Sequence, residues 1–246
     1  MRKAMIFAAG LGTRLRPLTD TMPKALVPVA GKPLLGHVIE KLAAAGYDDL
    51  VVNVHHFPDQ IRKYLQSSDF GVRIRISDES GQLLETGGAL AFARPLLEDA
   101  SEGFLVHNVD ILSDLDLKWF RASVRPDALA TLLVSPRETS RYLVFDDEGR
   151  LRGWTNVATG EVRSPDPSLD LSRLHLLAFG GIHYISPRIF DVFEKSGFSG
   201  RFSIMDFYLK ICDRYPVYGV TPPHLRLLDV GKLASLAEAE NFASQP

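Results

Sequence analysis

Two glycines near the amino terminus stand where many chains bind phosphate. A short apolar run, residues 5–9, leads directly into Gly10 and Gly12. Glycine lets backbone N–H groups approach phosphate oxygens without a side chain in the way, so this loop predicts an anion-binding site. The residues alone leave one alternative open, a tight turn between a strand and a helix in which the glycines serve only steric needs.

Two common phosphate-binding motifs do not match this loop. A dinucleotide-binding loop would place a third glycine where Leu15 stands, and an acidic residue at the end of the second strand, which instead ends at Asn53-Val54-His55. A Walker loop needs Gly-Lys-Ser or Gly-Lys-Thr, and the sequence contains neither string. These mismatches disfavour a dinucleotide-dependent oxidoreductase and a Walker-type kinase.

Four charged residues could neutralise and orient a polyanion. Arg14 follows the glycines and Lys24 follows Pro23, while Asp110 and Asp229 lie at or near the ends of apolar runs. Guanidinium and ammonium groups bind phosphate oxygens, and Mg²⁺ prefers carboxylate oxygens. Because α/β sheets bind ligands beyond the carboxyl ends of their strands, Asp110 and Asp229 are candidate ligands of one Mg²⁺. The alternative for Asp229 is capping of the final helix.

Short apolar runs alternate with amphipathic stretches, which predicts an α/β fold with helices covering a sheet. In the first half the predicted strands are residues 5–9, 50–54, 73–76 and 104–111, and the predicted helices are residues 33–45, 58–65 and 87–97. In the second half the predicted strands are 128–134, 142–145, 151–154, 176–185 and 225–230, and the predicted helices are 187–195, 204–215 and 233–243. Residues 158–172, rich in Ser, Pro, Asp and Gly, are expected to form a mobile loop.

Charge and cysteine content exclude several classes of protein. The chain has 28 Lys plus Arg against 30 Asp plus Glu, so its charge does not suggest a nucleic-acid partner. Its single cysteine, Cys212, excludes an internal disulfide framework and predicts a cytoplasmic protein. The apolar run near the amino terminus is too short for a secretory signal or a membrane span, so no membrane partner is expected.

The phosphate loop belongs to a longer motif. Residues 8–29, AAGLGTRLRPLTDTMPKALVPV, continued by GKPLL at residues 31–35, resemble the signature of the sugar-phosphate nucleotidyltransferase family. The resemblance implies a Rossmann-like, glycosyltransferase-A-like domain over residues 1–246, with a mixed, mostly parallel central sheet flanked by helices. It divides the domain into a nucleotide-binding part, about 1–135, and a sugar-binding part, about 136–246. The implied reaction joins a nucleoside triphosphate to a sugar 1-phosphate, releases pyrophosphate and uses Mg²⁺.

The resemblance also implies roles for individual residues. Catalysis is expected of Arg14, Lys24 and Asp110, and Mg²⁺ binding of Asp110 and Asp229. Two residues are expected at the sugar, Asn108 and Gly181. The expected nucleotide contacts are Ala8, Ala9, Gly10, Gly12, Thr13, Arg14, Glu79, Gln82, Thr86 and Gly87. The nucleobase, the sugar and the oligomeric state are left open.

Several positions depart from the family pattern. Val109 and Lys232 replace a glycine and a small hydroxyl residue, and Trp154-Thr155-Asn156-Val157 stands where many relatives carry Glu-Lys-Pro. The lysine of that motif contacts the sugar phosphate, so another cation must replace it here, and the candidates are Arg141, Arg152 and Arg201. A non-catalytic protein that senses nucleotides or nucleotide sugars is therefore the alternative function.

Overall fold

The computed structural model describes residues 1–244. Its first half contains β1 (Lys3–Phe7), β2 (Pro28–Val29), β3 (Lys32–Pro33), α1 (Leu34–Ala44), β4 (Asp49–Val54), α2 (Pro58–Gln66), β5 (Arg73–Asp78), α3 (Glu85–Phe92), α4 (Arg94–Leu97), β6 (Phe104–Asn108), β7 (Ile111–Ser113) and α5 (Leu117–Ala122). Its second half contains β8 (Ala130–Ser135), β9 (Arg141–Phe145), β10 (Leu151–Asn156), β11 (Glu161–Arg163), β12 (His175–Ile185), α6 (Ile189–Lys195), α7 (Ile204–Ile211), β13 (Val217–Val220), β14 (Leu227–Asp229) and α8 (Leu236–Ala243).

Ten strands form one mixed sheet. Eight of them run in the order β11-β10-β9-β12-β6-β1-β4-β5, and β8 joins β12 and carries β13 on its other edge. Strands β6, β1, β4 and β5 are parallel, whereas β12 runs antiparallel to β6, β8 and β9. The mixed central sheet flanked by helices that the sequence predicted is confirmed.

The sheet separates two hydrophobic cores. Along β1, Ala4 and Ile6 pack into a core with α1, while Met5 and Phe7 pack into a second core with the helices of the opposite face. This alternation follows from the two-residue period of a strand. Because β1 is covered on both faces, its side chains are apolar throughout except for Lys3.

Several predicted elements differ in detail. The predicted helix over residues 87–97 is two helices, with Pro95 in the first turn of the second. The predicted strand over residues 104–111 breaks into β6 and β7, and Asp110 lies in the turn between them. Residues 158–172 are not only loop, because β11 pairs with β10 there. Strand β13 was not predicted, since its four residues lack a clear alternating pattern.

Candidate functional site

A cavity of about 370 Å³ opens where the parallel strands β1, β4 and β6 end. Parallel strands present their carboxyl ends at one edge of a sheet, and this is where α/β proteins bind ligands. Its wall combines a few polar groups with apolar surface, as ligand sites usually do. The lining residues are Phe7, Ala9, Gly10, Lys24, Asn53, Glu79, Leu83, Glu85, Thr86, Asn108, Val109, Asp110 and Ser203.

Gly12 holds the phosphate loop against the segment that carries Lys24. Its φ of +64° is left-handed, and a Cβ at this position would lie 2.9 Å from both the Lys24 Cβ and the Thr19 Cγ2. The Thr19 hydroxyl donates a hydrogen bond to the Gly12 carbonyl oxygen at 2.8 Å. Glycine is therefore required here for folding, and it brings Lys24 beside the loop.

Gly10 differs from Gly12 in having no structural need for glycine. Its φ lies outside the left-handed region, and a Cβ here would meet no heavy atom of the described residues within 4 Å. Gly10 also lines the cavity. The open space beside its backbone is available to a ligand.

Lys24 and Asp110 form an ion pair in the cavity wall. The Lys24 ammonium contacts the Asp110 carboxylate, and the two side chains are only 11% and 17% exposed. The neighbouring Val109 lies on the wall too, with its N–H donating to the Phe7 carbonyl oxygen at 3.2 Å. Two residues far apart in the sequence thus place opposite charges at the edge of the sheet where the cavity opens.

Asp229 reaches the same place through strand pairing. Antiparallel β14 and β7 set Asp229 opposite Ile111, and the Val230 N–H donates to the Asp110 carbonyl oxygen at 2.8 Å. The predicted alternative that Asp229 caps the final helix is wrong, because Ser235 directly precedes α8. Asp229, at the end of β14, therefore lies beside the turn that carries Asp110.

Gly231 joins Arg14 to this group. A Cβ at Gly231 would lie 2.5 Å from the Asp229 Oδ1 and 2.7 Å from an Arg14 guanidinium nitrogen. Both side chains consequently pack against the bare Gly231 backbone. The four charged residues singled out in the sequence are brought together at one edge of the sheet.

The donor set around Asp110 and Asp229 fits Mg²⁺. Within residues 1–244 no group of three or more His, Cys, Asp or Glu side chains could hold a metal by itself. Mg²⁺ commonly takes only one or two protein carboxylates and fills its other positions with water and substrate phosphates. The ammonium that Asp110 already holds shows that this carboxylate is placed to bind a cation.

Glu79 is a buried carboxylate that also lines the cavity. It is 3% exposed, and its Oε1 accepts a hydrogen bond from the Asn53 side-chain amide at 2.8 Å. Its Oε2 has no partner in the part of the chain that the structure describes. Burial raises the pKa of Glu79, while the side-chain amide of Asn53 opposes that rise. An unpaired buried acceptor in a ligand cavity indicates a donor on the ligand.

The amino end of α3 forms a third part of the wall. Glu85 has a φ of +60°, an uncommon conformation for a residue with a side chain, and its carboxylate pairs with Arg201 at 2.8 Å. The Thr86 hydroxyl accepts a hydrogen bond from the Ile204 N–H at 3.0 Å. Of the three arginines considered as replacements for the family's lysine, Arg201 thus pairs with a residue that lines the cavity.

Three of the expected nucleotide contacts, Gly87, Gln82 and Ala8, lie outside the cavity wall. Gly87 serves packing, because its N–H donates to the Phe202 carbonyl oxygen at 2.9 Å and a Cβ would overlap the Phe202 ring. Gln82 is exposed and does not line the cavity. Ala8 presents no free N–H to a ligand, because that group donates to the Asn53 Oδ1 at 2.7 Å. Each of these residues is next to a lining residue in the sequence, but none of the three lines the cavity itself.

Gly181 also has a structural task where a sugar contact was expected. Its φ is +73°, and a Cβ would lie 2.7 Å from the Ile111 Cγ1 and 3.0 Å from the Asn108 amide nitrogen. Gly181 therefore supports Asn108, and it is Asn108 that lines the cavity. Thr13 is exposed on the short 3₁₀ turn after Gly12, outside the cavity wall.

His107, His183 and Cys212 are buried in the core of the protein. Burial lowers the pKa of His107 to about 4 and that of His183 to about 3, so both rings are neutral. The His183 ring nitrogen lies 3.0 Å from the Tyr208 hydroxyl. His55 contacts the Glu79 carbonyl oxygen through its Nδ1 at 2.7 Å, and Cys212 is 1% exposed in the core.

The sequence reasoning missed three residues of the site. Asn53 was noted only as a mismatch to the dinucleotide motif, although a polar residue near the end of a buried strand is a recognisable signal. Glu85 carries no such signal, since its backbone conformation appears only in the structure. The contacts of Gly231 likewise depend on the pairing of β7 and β14.

Comparison with known proteins gives the family. The model of the nucleotidyl transferase family matches residues 3–155. An N-acetylmuramate α-1-phosphate uridylyltransferase of Neisseria meningitidis serogroup B is 49% identical over 247 residues, which cover 98% of each chain. A protein of the same name from Caulobacter vibrioides is 36% identical over 90% of this chain and 89% of its own.

Solved structures give the same fold. The inositol-1-phosphate CTP transferase of T. maritima superposes with a TM-score of 0.77 at 18% identity, over 100% of this chain and 97% of its own.

None of the helices built from the described residues combines the length and apolar character that a bilayer crossing needs. The family match spans more than half of the chain and contains the phosphate loop, Lys24 and Asp110. The chain belongs to the nucleotidyl transferase family, as its amino-terminal motif predicted.

Proposed function

We propose that this enzyme transfers the uridylyl group of UTP to N-acetylmuramate α-1-phosphate and releases pyrophosphate. The observation that carries the proposal is the convergence of four charged residues at one edge of the sheet. Lys24 and Asp110 line the cavity, and Asp229 and Arg14 meet at Gly231, whose neighbour Val230 is hydrogen-bonded to Asp110. The choice of substrates is supported by the uridylyltransferase of Neisseria meningitidis, which is 49% identical over nearly the whole chain.

The chemistry requires charge neutralisation more than acid–base catalysis. An oxygen of the sugar phosphate attacks the α-phosphorus of UTP, a new P–O bond forms, and the bond from the α-phosphorus to the bridging oxygen breaks to release pyrophosphate. The nucleophile is already an anion near neutral pH, so no strong base is needed. Repulsion between the two anions is the main obstacle, and fixed cations reduce it.

Each charged residue has a place in this scheme. The Lys24 ammonium, held by Asp110, neutralises charge that develops on the α-phosphate. The Arg14 guanidinium, at the end of the phosphate loop, binds the departing pyrophosphate. The open backbone at Gly10 lets the phosphates lie against the loop.

Asp110 and Asp229 would hold the Mg²⁺ ion. When bound, the ion would neutralise phosphate charge and polarise the reacting phosphoryl group. The Lys24 ammonium contacts Asp110, so it would lie close to the same phosphates.

Glu79 would select the nucleobase. Its Oε1 is occupied by Asn53, so a single buried acceptor, Oε2, remains for the ligand. Uracil presents one N–H donor, at N3, between two carbonyl groups, and this matches a single free acceptor. Guanine presents two adjacent donors and would leave one of them unpaired, which is costly in a buried site.

The substrate assignment is tested by a grid of activities. UTP, GTP, dTTP and CTP would each be combined with the 1-phosphates of N-acetylmuramate, N-acetylglucosamine, glucose and mannose, and pyrophosphate release would be measured with Mg²⁺. The expected best pair is UTP with N-acetylmuramate α-1-phosphate. A kcat/KM at least tenfold higher for another pair would overturn the assignment. No turnover on any pair would favour the non-catalytic sensing role.

The role of Glu79 is tested by substitution. Glu79→Gln should raise the KM for UTP about tenfold with a small change in kcat, because base binding is equally strong in the ground and transition states. Gln82→Ala is the matched control, since Gln82 is exposed on the same loop and does not line the cavity. An unchanged KM for UTP in Glu79→Gln would contradict the base contact.

A further inference from the structure

A second concave surface lies at the opposite edge of the sheet. Two adjoining cavities, of about 350 and 470 Å³, share four wall residues: Ser101, Glu102, Arg121 and Tyr184. Lys3, at the amino end of β1, lines the first of them, whereas Phe7 at the carboxyl end of β1 lines the catalytic cavity. We call the two adjoining cavities the amino-edge cleft. Strand β1 separates it from the catalytic cavity by about 13 Å, at about 3.3 Å per residue.

The wall of the amino-edge cleft has an excess of positive charge. Its charged residues are five cations and two carboxylates: Arg2, Lys3, Arg121, Arg125 and Arg188, with Asp99 and Glu102. Lys3 is committed to Asp99 and Asp49, and Arg121 lies 3.2 Å from Glu102. Arg125 lies 3.6 Å from Asp127, just outside the wall. The guanidinium groups of Arg2 and Arg188 have no carboxylate partner among the described residues, and Arg188 donates only to carbonyl and hydroxyl oxygens. These two cations favour an anion in the cleft.

Tyr47 gives a second, independent sign of a ligand. It lines the first cavity and is 3% exposed, and its hydroxyl has no hydrogen-bond partner among residues 1–244. The charges of Arg2 and Arg121 act on this hydroxyl, while burial keeps it protonated by raising its pKa. A buried hydroxyl without a partner costs stability unless something accepts its proton. The wall thus offers a hydroxyl donor in the same cavity as Arg2 and Arg121.

We propose that the amino-edge cleft binds a small phosphorylated metabolite. The phosphate lies in the first cavity, where Arg2 and Arg121 supply charge and the Tyr47 hydroxyl donates a hydrogen bond. The rest of the ligand extends into the second cavity, beside Arg125 and Arg188. The combined volume suits a molecule of metabolite size. This site is separate from the uridylyl-transfer site and does not depend on that assignment.

Inorganic phosphate is the probe for this site, and titration calorimetry is the assay. Lys24→Ala would serve as the background, because it removes a cation that binds phosphate in the catalytic cavity. In this background phosphate should still bind, and Tyr47→Phe and Arg121→Gln should each weaken binding about tenfold. Lys118→Gln is the control, since Lys118 is exposed on the same helix as Arg121 and lines neither cavity.

Thermal unfolding separates loss of the site from loss of the fold. Tyr47→Phe removes an unpartnered hydroxyl and keeps the ring in the core, so without phosphate it should unfold at the wild-type temperature or above it. At the same phosphate concentration, phosphate should raise the unfolding temperature of the Lys24→Ala protein more than that of the double variant with Tyr47→Phe. The proposal is overturned if phosphate binding disappears with Lys24→Ala alone. It would also be overturned if the Tyr47→Phe and Arg121→Gln variants bound phosphate as tightly as the Lys24→Ala background does.

Discussion

The substitution Gly10→Ala tests whether the phosphates of the nucleotide lie against the loop backbone. Alanine fits the folded protein, because a Cβ at Gly10 meets no described heavy atom within 4 Å and the backbone φ is not left-handed. Replacement of glycine at such a position reduces the entropy of the unfolded chain and stabilises a protein by about 0.4–1 kcal/mol. For a chain of this size that gain raises the unfolding temperature by roughly 1–4 °C.

The effect on activity should be opposite. A methyl group at Gly10 would occupy the space through which the phosphates reach the backbone N–H groups, and one hydrogen bond to a charged group contributes about 1.5–3 kcal/mol. At about 1.4 kcal/mol for each factor of ten, kcat/KM for the nucleotide should fall roughly 10- to 150-fold. The variant would therefore be a more stable and less active protein.

Gly81→Ala is the matched control for this experiment. Gly81 shares both features of Gly10, an open space at the Cβ and a φ outside the left-handed region, but it does not line the cavity. Both variants would be compared by thermal unfolding and by the rate of pyrophosphate release. We expect the same small stabilisation in both and a loss of activity in Gly10→Ala alone. A kcat/KM for Gly10→Ala within twofold of the wild type would refute the reasoning.

Three further outcomes follow from the structure. Asp110→Asn should lower kcat at least about 100-fold while the nucleotide Kd changes less than tenfold, because charge stabilisation acts mainly in the transition state. Measurements of turnover and of equilibrium nucleotide binding on the same variant would check this. His107 and His183 have pKa values lowered by burial to about 4 and about 3, so the unfolded chain binds more protons below its histidine pKa of about 6.5. The free energy of unfolding should therefore decrease as the pH is lowered, by about 4 kcal/mol for the two residues together between pH 7 and pH 5. Urea unfolding at both pH values would measure this decrease. Gly87→Ala should cost about 1–3 kcal/mol by overpacking against Phe202, and equal urea midpoints for variant and wild type would contradict this contact.

The buried histidine pair explains why the pH effect is separable from catalysis. The two rings lie on adjacent strands, β6 and β12, within the sheet, and neither lines the catalytic cavity. Loss of stability at low pH should therefore appear with or without nucleotide. If the free energy of unfolding were equal at pH 7 and pH 5, the neutral buried state of the two rings would be contradicted.

Local sequence determined the phosphate loop, the strand before it and the two-sided burial of β1. These features depend on residues close together in the chain: the apolar run at Lys3–Phe7, the glycines after it, and the positive φ that Gly12 adopts to approach Lys24. Backbone sterics and side-chain periodicity act over a few residues, so they can be interpreted without a fold. The resemblance to the family signature added functional roles for residues whose spacing in a single sequence does not indicate a function.

The tertiary structure alone decided which of these residues meet. Asp110 and Asp229 adjoin because β7 and β14 pair, and Glu79 is oriented because Asn53 lies on the neighbouring strand. Gly87 looked like a ligand contact in the sequence, yet the packing of Phe202 determines its role. Contacts between distant segments depend on strand register and on the volumes of facing side chains, and neither property is encoded in the local spacing of residues.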